Sequence, residues 1–163
     1  MEIPALPEGI EDSRLQRLAA YWDGRRAGRA MPARADIDPL DIPYVLGNIA
    51  LVEVRRGGPR LAFRFRLFGV NLVEDMGFDP TGEDLDLYRR PEMREMLRAS
   101  YTEVAEAGRP FRRRRHAYVM DGRLFENESL LLPLGEDGRQ ADMLLVAVIL
   151  REWGPDGPDG PPP

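Results

Sequence analysis

The side chains in this sequence whose types and spacing could do chemistry fall into four groups. Asp36, Asp38 and Asp41 crowd into the stretch MPARADIDPLDIP, where three carboxylates could ligate a hard cation. His116, the chain's one histidine, closes the arginine run in FRRRRHAY, with Tyr118 two residues on. Glu126 and Glu128 bracket Asn127 and precede Ser129, a carboxylate pair of the type used for general acid and base work. Arg109 and Arg113 form an R-x-x-x-R pair whose guanidinium groups could grip phosphate.

Each group has a structural use that its neighbours favour. Asp38 stands directly before Pro39, and Asp41 follows three residues later, which is the pattern of a carboxylate N-cap, a proline at the first helical position and an acid at the positive end of the dipole. The prolines fix the backbone between the acids and no histidine lies near, so they read as caps and no metal site is expected. His116 has no recognisable nucleophile partner, and there is no glycine-rich phosphate loop. Glu126 and Glu128, two apart on a strand facing arginines, are expected to form ion pairs on a solvated face. No enzyme is expected.

Composition narrows the classes further. With 163 residues and 43% hydrophobic content, the chain is long enough for one domain with a core and short for two. It has no cysteine, hence no disulfide, thiolate metal site or cysteine nucleophile. All 23 basic residues are arginine, yet the formal charge is -5, which argues against a general nucleic-acid surface. No stretch approaches the ~18 apolar residues of a membrane span, and MEIPALPEGI lacks the regions of a signal peptide, so a cytoplasmic protein is expected.

The elements that must position these groups are legible from periodicity. Residues 1–10, with Pro4, Pro7 and Gly9, are expected to form an extended arm, residues 11–152 one domain, and residues 153–163 a disordered Pro/Gly tail. Leu15, Leu18, Ala19 and Trp22 recur at helical spacing, with Ser13 and Gln16 placed as a capping box, and the helix should end between Gly24 and Gly28. The run NIALVEVRRGGPRLAFRFRLFG predicts two strands about a Gly57–Gly58 turn, pairing Val54 with Leu61 and Val52 with Phe63. A second helix is expected from Pro91 to Ala107, with Met93, Met96, Leu97, Tyr101 and Val104 on one face and Gly108 ending it.

Three strands follow, joined by turns at Asp121-Gly122 and Asp137-Gly138. Tight turns there would set Arg115 opposite Glu128 with Arg113 diagonal to it. His116, Tyr118, Asn127, Ser129 and Leu131 would then share the other face with Val146 and Val148. The last strand is apolar on both faces, as a central strand buried on both sides would be. A helix carrying Leu15, Leu18, Tyr21 and Trp22, or a second subunit, would cover its outer face.

Helix, two strands, short helices, a long helix and three antiparallel strands is the order of a PAS domain. The features Tyr21-Trp22, MPARADIDPLDI, FRFRLFG, GFDPTGEDL, AGRPF and LLLPLGEDG resemble, in order and spacing, the stand-alone PAS-like family common in alphaproteobacteria, the fifth PAS family. The resemblance covers nearly everything outside the tails. It implies an α+β fold, with a five-stranded antiparallel sheet, helices on one face enclosing a cavity, and an N-terminal capping helix. It also implies a sensory or regulatory module without catalytic output, acting on a small apolar metabolite, as a homodimer or through a regulatory protein partner. Haem-binding relatives take their axial histidine from the long helix, which has none here, and the missing cysteine removes cysteinyl-flavin chemistry. A non-covalent flavin or a fatty acid stays open, with His116, Tyr118, Asn127 and Ser129 as the polar lining.

A second class is a cyclic-dinucleotide receptor. Arg109 and Arg113 followed by Asn127-Glu128-Ser129 resemble the PilZ pattern, but Leu132 stands where that family has glycine, and the gap between the halves is short.

Overall fold

The structure, a computed structural model, describes residues 2–120 and 122–152, and of residues 115–118 the backbone only. The expected tail therefore lies outside the described residues, as do the side chains of His116 and Tyr118.

Helix α1 (Ser13–Arg26) buries the stripe Leu15, Leu18, Ala19 and Trp22. Its cap is Asp12, one residue before the expected Ser13. The Asp12 carboxylate accepts the Arg14 amide at 2.8 Å, and the Gln16 side chain donates to the Ile10 carbonyl at 2.7 Å. A carboxylate is a stronger acceptor than a hydroxyl for the free amides of a first turn, which moves the start by one residue. Ahead of it, Leu6 and Ile10 of the N-terminal arm pack against the core.

The helix ends in a left-handed turn at Ala27 (φ 49°) followed by Gly28 (φ 81°). A Cβ at Ala27 crowds the following carbonyl in that conformation. Ala27→Gly is expected to stabilise the protein by about 0.5–1 kcal/mol, as a shift in the denaturant midpoint would show.

The connector that follows consists of one-turn 3₁₀ helices, Arg34–Asp36, Pro39–Asp41 and Leu46–Asn48. Asp38 caps the second, accepting the Leu40 amide at 3.0 Å, with Pro39 in the first position. Asp41 accepts the Tyr21 hydroxyl at 2.8 Å, and the same Tyr21 oxygen accepts the Asp38 amide at 3.0 Å. Asp36 accepts the Ala33 amide at 2.9 Å and pairs with Arg29 at 2.8 Å. The three acids thus serve different partners.

Strands β1 (Ile49–Arg55), β2 (Ala62–Phe68), β3 (Phe111–Met120), β4 (Arg123–Leu134) and β5 (Met143–Glu152) form one antiparallel sheet in the order β2-β1-β5-β4-β3. Helices α2 (Val70–Met76) and α3 (Pro91–Ala107) lie between β2 and β3 in sequence. The β1–β2 pairing sets Val54 against Phe63 and Val52 against Phe65, two residues along from the expected register. The loop is longer than a two-residue turn, and the even shift leaves Val52, Val54, Phe63 and Phe65 on their expected face, but a one-residue bulge beyond the Val52–Phe65 pair turns Leu67, which strict alternation places with Phe63 and Phe65, to the other face beside Leu51 and brings Phe68 in opposite Ala50. Likewise β4 and β5 are joined by residues 135–142 rather than a tight Asp137-Gly138 hairpin; Asp137 caps the Arg139 and Gln140 amides there.

The β3–β4 register departs in a way that matters more. Pairing runs regularly from the hairpin (Met120 with Arg123) to Tyr118 with Phe125, then shifts, so that Arg115 faces Asn127, Arg114 faces Glu128 and Arg113 faces Ser129. One extra residue in β3 is a β-bulge, and it exchanges the faces of all residues beyond it. Arg113 therefore shares the Ser129 face, and Arg112 and Arg114 share the face of Glu126 and Glu128. This reverses the assignment that an unbroken hairpin gives.

Both faces of β5 are buried: Leu144 and Val146 on one side, Leu145 and Ala147 on the other. Helix α1 packs over the second side, where the Trp22 indole donates to the Pro133 carbonyl of β4 at 2.9 Å.

Candidate functional site

The cavity lies between the inner face of the sheet and α3. Proline at the first position of α3 suits a helix start, and Gly108 at its end adopts φ 65°. Between them Met93, Met96, Leu97, Ser100 and Tyr101 recur at three- and four-residue spacing and face the sheet. Asn127, Ser129 and Leu131 from β4, Val146 and Val148 from β5, and Arg113 from β3 form the opposite wall. The cavity's volume is about 60 Å³.

Aromatic rings close one end. Phe65 lies 5.8 Å from Tyr88 and 6.5 Å from Tyr101, and Tyr101 meets Phe63 edge-on at 5.5 Å. Burial pushes the Tyr101 phenol above its ordinary range, so it stays neutral. The Ser100 hydroxyl donates back to the Met96 carbonyl at 3.0 Å. Thioethers of Met76, Met93 and Met96 make up much of the remaining wall, and such unbranched side chains repack readily around a guest. The chemistry on offer is binding, through apolar contact and a few hydrogen-bonding groups on one wall.

Of the four side chains expected to line a pocket, Asn127 and Ser129 are in the cavity, and those of His116 and Tyr118 lie outside the described residues. Arg113 is the lining residue that strand alternation alone misses. The bulge carries no glycine or proline signal; only the four-arginine run, which cannot keep all its charges on one face, hints at a break. Arg109 of the R-x-x-x-R pair is exposed at the corner between α3 and β3.

The outer face holds the carboxylates. Glu126 and Glu128 are buried, not solvated as expected, because the N-terminus of α1 closes over them. Glu128 accepts the backbone amides of Glu11 and Asp12 at 2.9 and 2.7 Å and the Arg112 guanidinium at 2.8 Å. Burial opposes its charge, but these three donors outweigh it and hold the carboxyl below its ordinary value. Arg114 pairs with Glu11 and, at 3.7 Å, with Glu126, which Arg151 also approaches at 3.4 Å. Leu15, Leu18 and Trp22 are fully buried beneath α1, and Tyr21 is half-buried at its edge.

Among the described residues, no three histidine, aspartate or glutamate side chains converge as a metal site. No described helix is long and apolar enough to cross a membrane.

Comparison with known proteins gives one family. A family model described as PAS domain matches residues 10–148. No curated protein matches the chain. Among solved structures, the chain is similar to the Rhodobacter sphaeroides LOV protein, with 19% identity, TM-score 0.45, and coverage of 74% of this chain and 71% of that one. It is also similar to the RsLOV d2 variant, with 17% identity, TM-score 0.44, and coverage of 91% and 72%. At that distance no residue role transfers.

Proposed function

The chain belongs to the PAS domain family, and from that premise we propose that it is a sensory or regulatory module whose inner cavity takes a small, largely apolar ligand. The observation that carries this reading is the cavity itself. It is walled by methionine, aromatic and aliphatic side chains, with Asn127 and Ser129 set among them as orienting groups. Its output is contact, with a second copy or a regulatory protein, and not catalysis. The carboxylates Glu126 and Glu128, the chain's candidate acid and base, sit in ion pairs on the other side of the sheet. A cysteine-free composition suits work in the reducing cytoplasm, where no disulfide is needed.

Native mass spectrometry of the purified protein tests the reading. A reproducible extra mass, lost on denaturation and lost in Val146→Phe, which fills the cavity from β5, is the expected result. An added mass that persists in Val146→Phe would place the ligand elsewhere. An apo spectrum that no added apolar compound changes would overturn the reading.

A further inference from the structure

We infer that the cavity takes a small neutral carbonyl compound, of the ketone or ester class, whose oxygen accepts a hydrogen bond from the Tyr101 hydroxyl; this rests on the ligand-binding reading of the cavity. Tyr101 stands at the aromatic end of the cavity, 2% exposed, and adds a hydroxyl to the polar groups of the sheet wall. Phe63 and Phe65 both meet its ring edge-on, which fixes the plane of the ring. Yet among the described residues this hydroxyl has no hydrogen-bond partner, whereas that of Ser100, the residue before it, donates to the Met96 carbonyl. A buried tyrosine ordinarily pairs its O–H, because the group gives up water on burial. Phenylalanine would fill the same space without that cost. Ser129 repeats the pattern on the sheet wall: it is nine-tenths buried, lines the cavity, and has no partner for its hydroxyl among the described residues. Two hydroxyls left unpaired around one cavity are what a guest with a polar atom would complete.

The chemistry of the hydroxyl sets the class of guest. A phenol oxygen shares its lone pairs with the ring, so it donates better than it accepts, and a carbonyl oxygen offers two lone pairs to such a donor. Burial keeps the Tyr101 phenol protonated, and hence a donor. A charged acceptor would have to shed its hydration among methionine, aromatic and aliphatic side chains, a cost that a neutral carbonyl largely escapes. The substituents on the carbonyl then meet Leu72, Met93, Leu97 and Leu131, contacts that favour hydrocarbon. The cavity volume of about 60 Å³ limits the guest to a few carbons unless the methionines withdraw.

NMR titration of the full chain with 2-pentanone and with 2-methyl-1-pentene tests this, since the two probes have one shape and differ by oxygen against a CH₂ group. Tyr101→Phe is expected to weaken the ketone about fivefold or more while leaving the alkene within about twofold. In the ligand-free protein the same substitution should leave Tm unchanged or raise it, because it removes a buried hydroxyl that nothing in the protein satisfies. A fall in Tm would show that the hydroxyl pairs within the protein and overturns the inference. Ketone binding unaltered by Tyr101→Phe, or an alkene weakened as much as the ketone, overturns it too while leaving the cavity reading intact. Ketone binding that Val146→Phe does not diminish would show a site elsewhere and also overturns it. Binding of neither probe overturns the inference and counts against the cavity reading together.

Discussion

Replacing Trp22 with alanine is expected to destabilise the protein by about 3–5 kcal/mol, the largest effect of any single truncation outside the sheet. Trp22 is fully buried between α1 and the outer sheet face, and its indole nitrogen donates to the Pro133 carbonyl. Alanine removes the apolar contact, leaves a cavity at the centre of the helix–sheet interface, and deprives a buried carbonyl of its donor. For a chain of this size, such a loss corresponds to a fall in Tm of roughly 6–20 °C, which circular dichroism would follow directly. Trp22→Phe separates the contributions. It keeps most of the ring volume and loses the hydrogen bond, so it should recover well over half of the alanine loss. A Tm unchanged by Trp22→Ala would mean that α1 does not hold the sheet as described.

Glu128→Ala should cost about 2–4 kcal/mol, because it strips three donors of their acceptor in a place that water reaches poorly. Two of those donors are the Glu11 and Asp12 amides, the entry of α1, so the loss should also raise hydrogen exchange at residues 11–14. The pH dependence has a definite sign. The folded carboxyl titrates below its ordinary value of 4.5, so its contribution is complete above that pH and fades as pH falls through the lower folded value. Glu128→Gln, which cannot titrate, should therefore flatten part of the acid limb of the stability curve while leaving its shape above pH 5 unchanged. An acid limb identical in the two proteins would show that Glu128 is not held by these donors.

Much of the fold could be read from side-chain periodicity, because the strongest signals belong to elements with one buried face. The stripe from Leu15 to Trp22, the α3 face from Met93 to Val104, and the doubly apolar β5 all lie where their spacing placed them. The β1–β2 faces survived a two-residue register error as far as Val52 and Phe65, since only an odd shift exchanges sides, and a one-residue bulge beyond them put Leu67 on the outer face and Phe68 on the inner one. The β3–β4 faces did not survive a bulge of one residue, for the same reason. No glycine or proline marks that bulge, and only the four-arginine run hints at it. The burial of Glu126 and Glu128 was equally hidden. It depends on the start of α1, more than a hundred residues away in the chain, arriving over β4. Asn127 and Ser129, by contrast, were legible as cavity residues because their position relative to Val146 and Val148 depends only on the regular β4–β5 pairing.

The bulged arginine strand also bears on how the molecule avoids assembling with itself edge to edge. On the β2 side the sheet's rim is occupied. Arg64 bridges to Asp84, Phe65 donates its amide to the Glu83 carbonyl, and its own carbonyl takes the Gly82 amide, so residues 82–84 cap that rim. On the other side β3 ends the sheet. A second copy adding its own β3 antiparallel there would bring two runs of four arginines toward one another, in strands whose bulges interrupt the ladder each needs. The same residues that turn one guanidinium into the cavity thus guard the exposed rim, by charge and by irregular spacing, against runaway strand addition.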